Sequence, residues 1–479
     1  MRRVVFPLLS SLLLAGCTLG PDFQLPEPPK ADGYAAKEDA AAPADQRVAL
    51  GKAIQADWWS GFQSKALDMI IQKALTGSLD LETARQRMAE AEEQVNVAEG
   101  ALLPQVSLGA VAGRQKYGKS LFGPLNIGIP PFTYYTVGPS VSFDPDLFGA
   151  KRRTVEEKKA LLEYQQHELD AAYQSLTAHV AAEMLALAAA RAQIATVQAI
   201  IADDERNVNL VQSAITGGSG TRVQLVSAQS QLAQDRALAP DLRQQEAVAR
   251  HALAILTGQA PSEWSPPSAT LEDFTLPGEL PVSLPSELVH RRPDILAAES
   301  ELHAASAAIG VATANLYPSL NLTATVTQQA LTPGGLFDSA SNAWALAAGL
   351  TQPIFDGGRL SAQKRAAVDN YQAELATYRQ TILEAFGDVA DRLQALANDA
   401  DRVTAEAQAE QTAADALDLA RKSYAAGNSG ILDVIDAQRR HGQAQLGVAR
   451  ARAQRLMDTA ELFLAVGGSP VAQTPDKAP

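Results

Sequence analysis

Residues 371–407 read YQAELATYRQTILEAFGDVADRLQALANDADRVTAEA. Their apolar side chains recur three and four positions apart in turn: Tyr371, Leu375, Tyr378, Ile382, Ala385, Val389, Leu396, Ala400, Val403 and Ala407. The polar intruder, Arg392, has Leu393 beside it. This is the 3.5-residue period of helices that pack side by side. The pattern sits inside Leu360 to Ala426, 67 residues with no proline and one glycine, Gly387. A single helix of that length would extend roughly 100 Å at ~1.5 Å per residue, well beyond an ordinary globular helix. Lys151 to Thr216 has the same character with neither glycine nor proline, so an internal duplication is expected.

Each rod ends in a turn rich in small residues, Thr216 to Gly220 and Ala426 to Gly430, and a return helix follows at about 221–257 and 431–466. Ahead of each rod the period changes to two. Val106, Leu108, Ala110 and Ala112 alternate with Ser107, Gly109, Val111 and Gly113, and Leu320, Leu322, Ala324 and Val326 alternate with Asn321, Thr323, Thr325 and Thr327. Strands are therefore expected at about 105–113, 132–143, 320–328 and 344–355. Asp80, Ala84, Ala98 and Pro104 recur 214 positions on, and past the strands the offset settles at 209, as in Gly258 and Gly467. Two structural repeats, 63–260 and 286–470, are joined by a proline-rich linker, 261–285, and followed by a tail, 471–479.

The chain begins with Arg2-Arg3, an apolar run from Val4 to Leu14, and Leu14-Ala15-Gly16-Cys17. Residues 1–16 read as an export signal, too short to span a bilayer as a helix. Cys17 is the only cysteine, which excludes disulfides and cysteine metal clusters; in the lipobox reading it carries a covalent lipid. Residues 17–62 read as an extended, lipid-anchored tether. The formal charge of −14 excludes nucleic acid as a natural partner. No run of ~20 consecutive apolar residues follows the signal, so a membrane crossing has to be made of β structure.

Four strands of this length match the ~9–11 residues that a tilted strand needs to cross a bilayer. They cannot close a barrel, and open edges are not tolerated in lipid, so the barrel is expected to be shared between copies of the chain. Two copies would give eight strands; three would give twelve and room for a water-filled lumen. In each repeat the helix before the strands and the return helix, end to end, nearly equal the long rod, which suits a stacked helical wall. The competing expectation is a lipid-anchored periplasmic coiled-coil scaffold that never crosses the membrane.

Cys17-Thr-Leu-Gly-Pro-Asp-Phe23, Asp57-Trp-Trp-Ser-Gly-Phe62, Arg292-Pro-Asp-Ile295, Ala314-Asn-Leu-Tyr-Pro-Ser319, Leu350-Thr-Gln-Pro-Ile-Phe-Asp-Gly-Gly-Arg359 and Leu432-Asp-Val-Ile-Asp-Ala-Gln438 together resemble the TolC/OprM outer-membrane efflux factors, in their lipoprotein, NodT-like branch. The resemblance covers almost the whole mature chain. It implies a mostly α fold with a small transmembrane β part: a duplicated strand hairpin plus long helical hairpin, in a homotrimeric 12-stranded β-barrel continued by a periplasmic α-barrel. It also implies a periplasmic adaptor (membrane fusion) protein and an inner-membrane pump, of resistance-nodulation-division type, as partners. A duct for type I protein secretion is the other conduit that the resemblance allows.

A conduit needs no catalytic group. The six histidines are scattered, no phosphate-binding glycine loop or nucleophile elbow is present, and no cofactor beyond a lipid on Cys17 is expected. By resemblance the two tips narrow the closed tube and meet the adaptor, through Gly217, Gly218, Gly220, Gly427, Gly430 and Tyr424; a packing role for Tyr424 is equally open. Asp433 and Asp436 stand three apart after the second turn. Acids are favoured near a helix start, yet their counterparts at offset 209 are Gln224 and Ser227. The resemblance implies a pore-lining acidic ring there, favouring cations and raising carboxyl pKa values by mutual repulsion. Some relatives carry a tip arginine where this chain has Ser429, which speaks against a salt-bridge lock.

Overall fold

The computed structural model describes residues 18–29, 31, 33–34, 45–52, 54–118 and 129–467. The signal at 1–16, Cys17 and the tail at 471–479 lie outside the described residues. The described elements, in chain order, are β1 (Arg47–Leu50), α1 (Lys65–Gly77), α2 (Leu79–Gly100), β2 (Gln105–Gln115), β3 (Phe132–Phe143), α3 (Ala150–Thr216), α4 (Arg222–Arg236), α5 (Leu238–Leu256), β4 (Glu279–Val282), α6 (Pro285–Leu288), α7 (Pro293–Ala314), β5 (Ser319–Ala330), β6 (Asn342–Thr351), α8 (Arg359–Ala425) and α9 (Ile431–Ala465). The two rods, α3 and α8, are 67 residues each.

Contacts group the described residues into two compact units that cut across the sequence repeats. The first takes residues up to Pro26, Arg87–Gln165 and Ala297–Tyr378; the second takes Glu27–Gln86, Gln166–Leu296 and the chain from Arg379. Each unit draws on both repeats because the hairpins of the two repeats pair with one another.

In the first unit an antiparallel sheet runs β2-β3-β5-β6. Side chains directly opposite one another share a face. Val106 and Leu108 lie opposite Val141 and Pro139, Val141 opposite Ala324, and Leu322, Ala324 and Val326 opposite Ala348, Leu346 and Trp344. The register thus builds one continuous apolar face from the two repeats. On the other face Ser107 meets Ser140 with 2.8 Å between hydroxyls, Ser140 meets Thr325, and Thr323, Thr325 and Thr327 meet alanines. Val106, Leu108, Trp344 and Leu346 are all more than 70% exposed, a pattern suited to lipid outside and water within. β6 stops at Thr351, short of the expected 355, because Pro353 has no N–H for the ladder.

The same device starts both rods. Asp146, at φ 54°, accepts the backbone N–H groups of Lys151 and Arg152 at 3.0 Å. Asp356 accepts those of Gly358 and Leu360 at 2.9 Å, and these bonds, Leu360 first, hold its carboxyl below the ordinary range. In this unit the buried Arg153 ties down the chain that follows Cys17: it donates to the Leu19 carbonyl at 3.1 Å and to Asp22 at 2.8 Å, while Phe23 stacks on His303 at 4.5 Å.

The second unit corrects two expectations. Residues 17–62, read as a tether, contain β1, and residues 261–285, read as a linker, contain β4; the two strands pair in parallel, Arg47 with Glu279 through Leu50 with Val282. Trp58, Trp59 and Phe62 are buried, Trp58 stacking on Phe463 at 5.3 Å. Fully buried Gln46 donates to the Pro277 carbonyl and to Thr459 Oγ1, both at 3.2 Å, and accepts from Arg455 at 3.0 Å. Proline-rich composition signalled irregular chain, and these long-range partners order it nonetheless.

The first return helix, expected unbroken over 221–257, is split at Ala237 into α4 and α5. Pro240 supplies the reason: it has no N–H to donate to the Arg236 carbonyl, and its ring crowds that oxygen. Ala449 stands at the matching place in the second repeat, and α9 runs on for 35 residues. One 18-residue window within α3 is apolar enough to cross a membrane by composition, and half of it is buried in the protein. A 67-residue helix is about three times the ~20 residues a bilayer needs, so this apolarity serves packing.

Candidate pore gate and helix tips

Both rods end by the same backbone chemistry. Gly218 at φ 79° and Gly427 at φ 76° adopt the left-handed conformation that only glycine reaches without strain. Around them Ser219 N–H bonds the Ala214 carbonyl and Asn428 N–H bonds the Ser423 carbonyl, both at 2.9 Å, so the last carbonyls of each rod are satisfied. Gly220 is small for a second reason: a Cβ there would lie 2.7 Å from the Ile215 nitrogen. Gly217 donates to Ser213 at 2.9 Å, and Gly430 is the N-cap of α9.

The two return helices begin in parallel ways. The Gln224 amide oxygen accepts the Thr221 N–H at 2.8 Å while the Thr221 hydroxyl accepts the Gln224 N–H at 3.3 Å. Asp433 Oδ2 accepts the Gly430 N–H at 3.0 Å. A glutamine and an aspartate therefore do one job at equivalent places, satisfying an orphan donor at a helix start. The lack of acids in the first repeat consequently says nothing against capping by Asp433.

Asp436 differs. It pairs with Arg439 at 2.6 Å and Arg440 at 2.8 Å, and its counterpart Ser227 is followed by Ser230 and Gln231 at the corresponding positions. The Arg439 hydrogen bond, with the Arg440 charge beside it, holds the Asp436 carboxyl below the usual carboxylate range. Within the chain this opposes the upward shift expected from mutual repulsion: neighbouring guanidinium groups favour the ionised form. Asp433, Asp436 and Arg440 line a groove of about 620 Å³ with Ala405, Thr412 and Ala416 of α8.

Tyr424 is half-buried. It packs on an apolar cluster made by Val211 of α3, Ala228 of α4, Leu417 of α8 and Ile431, Val434 and Ile435 of α9. This cluster joins the two tip hairpins, with Asn207 donating to Gln438 at 2.9 Å beside it. The sequence reading missed it, although Ile431, Val434 and Ile435, spaced three and four apart, carry the signal of a buried stripe.

The sheet thus presents one apolar and one polar face, and both rods close in tight glycine turns. The profile of the outer membrane efflux proteins matches residues 70–259 and 284–468, and the chain belongs to that family. It is 31% identical to the pyoverdine export outer membrane protein OpmQ of Pseudomonas putida, over 99% of this chain and 98% of that protein. It is 27% identical to nodulation protein T of Rhizobium leguminosarum bv. viciae, over 95% and 92%. The solved structure of the outer-membrane channel OprN superposes with a TM-score of 0.85 at 26% identity, covering 95% of this chain and 99% of that one. The fold is thus the mostly helical one, with a small β part, of TolC-like α/β-barrel channels. The protein is the outer-membrane channel component of a tripartite efflux pump for small molecules, largely periplasmic and not an enzyme.

Proposed function

We propose that this chain works as a homotrimeric, lipid-anchored conduit of the NodT-like branch, its 12-stranded barrel formed by three copies and its lipid carried on Cys17. A periplasmic adaptor protein seats on the tips around Gly217, Gly218, Gly220, Tyr424, Gly427 and Gly430, and a resistance-nodulation-division pump in the inner membrane chooses the cargo. Asp433 and Asp436 face the narrow end of the lumen. In this reading residues 1–16 are removed on export and the two repeats supply matching parts of the barrel and the helical wall.

The supporting observation is the register of the sheet. It gives a continuous apolar face, while β2 and β6 each have a partner on one side within the chain. Backbone groups along those edges need partners in lipid, and further copies of the same sheet supply them. Detergent-solubilised protein analysed by native mass spectrometry is expected to be trimeric and to conduct ions in planar bilayers. A monomer without conductance would overturn the reading. Radiolabelled palmitate is expected to enter the native chain and to be absent from Cys17→Ala.

A further inference from the structure

Asp204 of α3 is 5% exposed, and its Oδ2 has no hydrogen-bond donor. The group facing it across the α3–α4 seam is another acid, Asp235, whose Oδ2 accepts the Gln231 amide at 2.8 Å. Asp235 lies in the last turn of α4, two residues before the break at Ala237. The neighbouring charges are spoken for. On α3, Asp203 pairs with Arg206 and, at 3.8 Å, with Arg421 of α8; Glu205 pairs with Arg236 of α4 at 2.6 Å. No cation is paired with Asp204 or Asp235 among the described residues. In the second repeat the matching positions are Ala413 and Ala444, so packing of the seam does not require the acids.

We propose that Asp204 and Asp235 form a proton-binding site at this break, one proton being held between the two carboxylates, and that its release loosens α4 from α3. With the proton bound, the O–H of one carboxyl donates to an oxygen of the other and the pair carries a single negative charge. When water takes the proton, two anions face each other in a poorly solvated seam. Burial, then the bond to Asp235 and its charge, push Asp204 up from the ordinary 3.8 to about 7. Between those values the folded chain holds a proton that the unfolded chain has lost. The pair's contribution is therefore full below about pH 4, declines as pH rises toward about 7, and is lost above. The wall of the conduit would thereby respond to periplasmic acidity at its one broken return helix, independently of any acidic ring at the tips.

Hydrogen exchange of the backbone over 230–243, in the purified full chain and corrected for intrinsic rates, tests this. Protection is expected to fall by about tenfold or more between about pH 5 and about pH 8, because one shifted pKa unit corresponds to tenfold. Asp204→Asn supplies an amide donor to Asp235 at every pH, so its protection should be alike at both. Asp235→Asn and the double variant Asp204→Ala with Asp235→Ala, which copies the second repeat, provide the same reading should the first variant fold poorly. Equal protection of the native chain at the two pH values, or a fall that persists unchanged in the variants, would overturn the proposal.

Discussion

The two return paths of this chain stand at matching places in the two repeats, and most of their aligned residues differ. In the first, Pro240 splits the helix into α4 and α5, two acids face each other at the break, and Glu246 makes a half-buried ion pair with Arg191 at 3.0 Å. In the second, Ala449 lets α9 continue, and the residue matching Glu246 is the buried Arg455, clamped by Asp45 and Gln46 of the chain beside β1. The contrast teaches that a duplicated pattern fixes where helices run, while single residues decide which copy can bend and which is held.

The largest effect is expected from erasing the contrast in the damaging direction. Ala449→Pro should break α9 and cost about 3 kcal/mol or more, visible as loss of the assembled protein on thermal denaturation, whereas Pro240→Ala should change stability by less than about 1 kcal/mol. An α9 that tolerates proline would show that the unbroken helix matters little. Next, Arg455→Met leaves the buried Gln46 oxygen without its donor and should cost about 1–3 kcal/mol; Glu246→Gln keeps an amide oxygen to accept from Arg191 in a half-buried pair and should cost about 1 kcal/mol at most. Chemical denaturation of the two variants side by side checks this.

At the tips the repeats are expected to part in function more than in stability. Asp433→Ala should cost about 1 kcal/mol, as should Gln224→Ala, since both remove an N-terminal cap. Only Asp433→Ala combined with Asp436→Ala should raise resting conductance and weaken cation block in planar bilayers; the pair Gln224→Ala with Ser227→Ala should leave both unchanged. Conductance unaltered in the variant that lacks both aspartates would leave capping and local ion pairs as the whole role of the two acids. Smallest is the difference between Gly218→Ala and Gly427→Ala. Each forces a left-handed backbone on alanine at about 1 kcal/mol, and equal losses in melting temperature are expected.

Much of this was legible in residues alone. The run from Tyr371 to Ala407 has one compatible period, and the alternation around Val106 and Leu320 has another, so rods and strands could be placed from the chain itself. What escaped were partners distant in sequence or details of geometry. β1 and β4 are short, proline-flanked and over 200 residues apart, and a parallel pairing across that distance leaves no local signature. Pro240 sits where a helix can also simply begin, so its effect on α4 and α5 depended on seeing the Ala237 backbone. Asp436 was visible as an acid, but its neutralisation by Arg439 and Arg440 required knowing that their side chains turn back toward it. The equivalence of Gln224 and Asp433 was hidden because a cap is defined by one hydrogen bond and not by charge.

The sheet order leaves β2 and β6 at its margins, and this has a genetic consequence. The cylinder of identical chains proposed above is only as sound as its weakest member, so a chain crippled in either marginal strand would spoil every assembly it joins. Alleles of that kind should behave as dominant poisons when produced beside the intact gene, while lesions that prevent the chain from folding at all should be recessive.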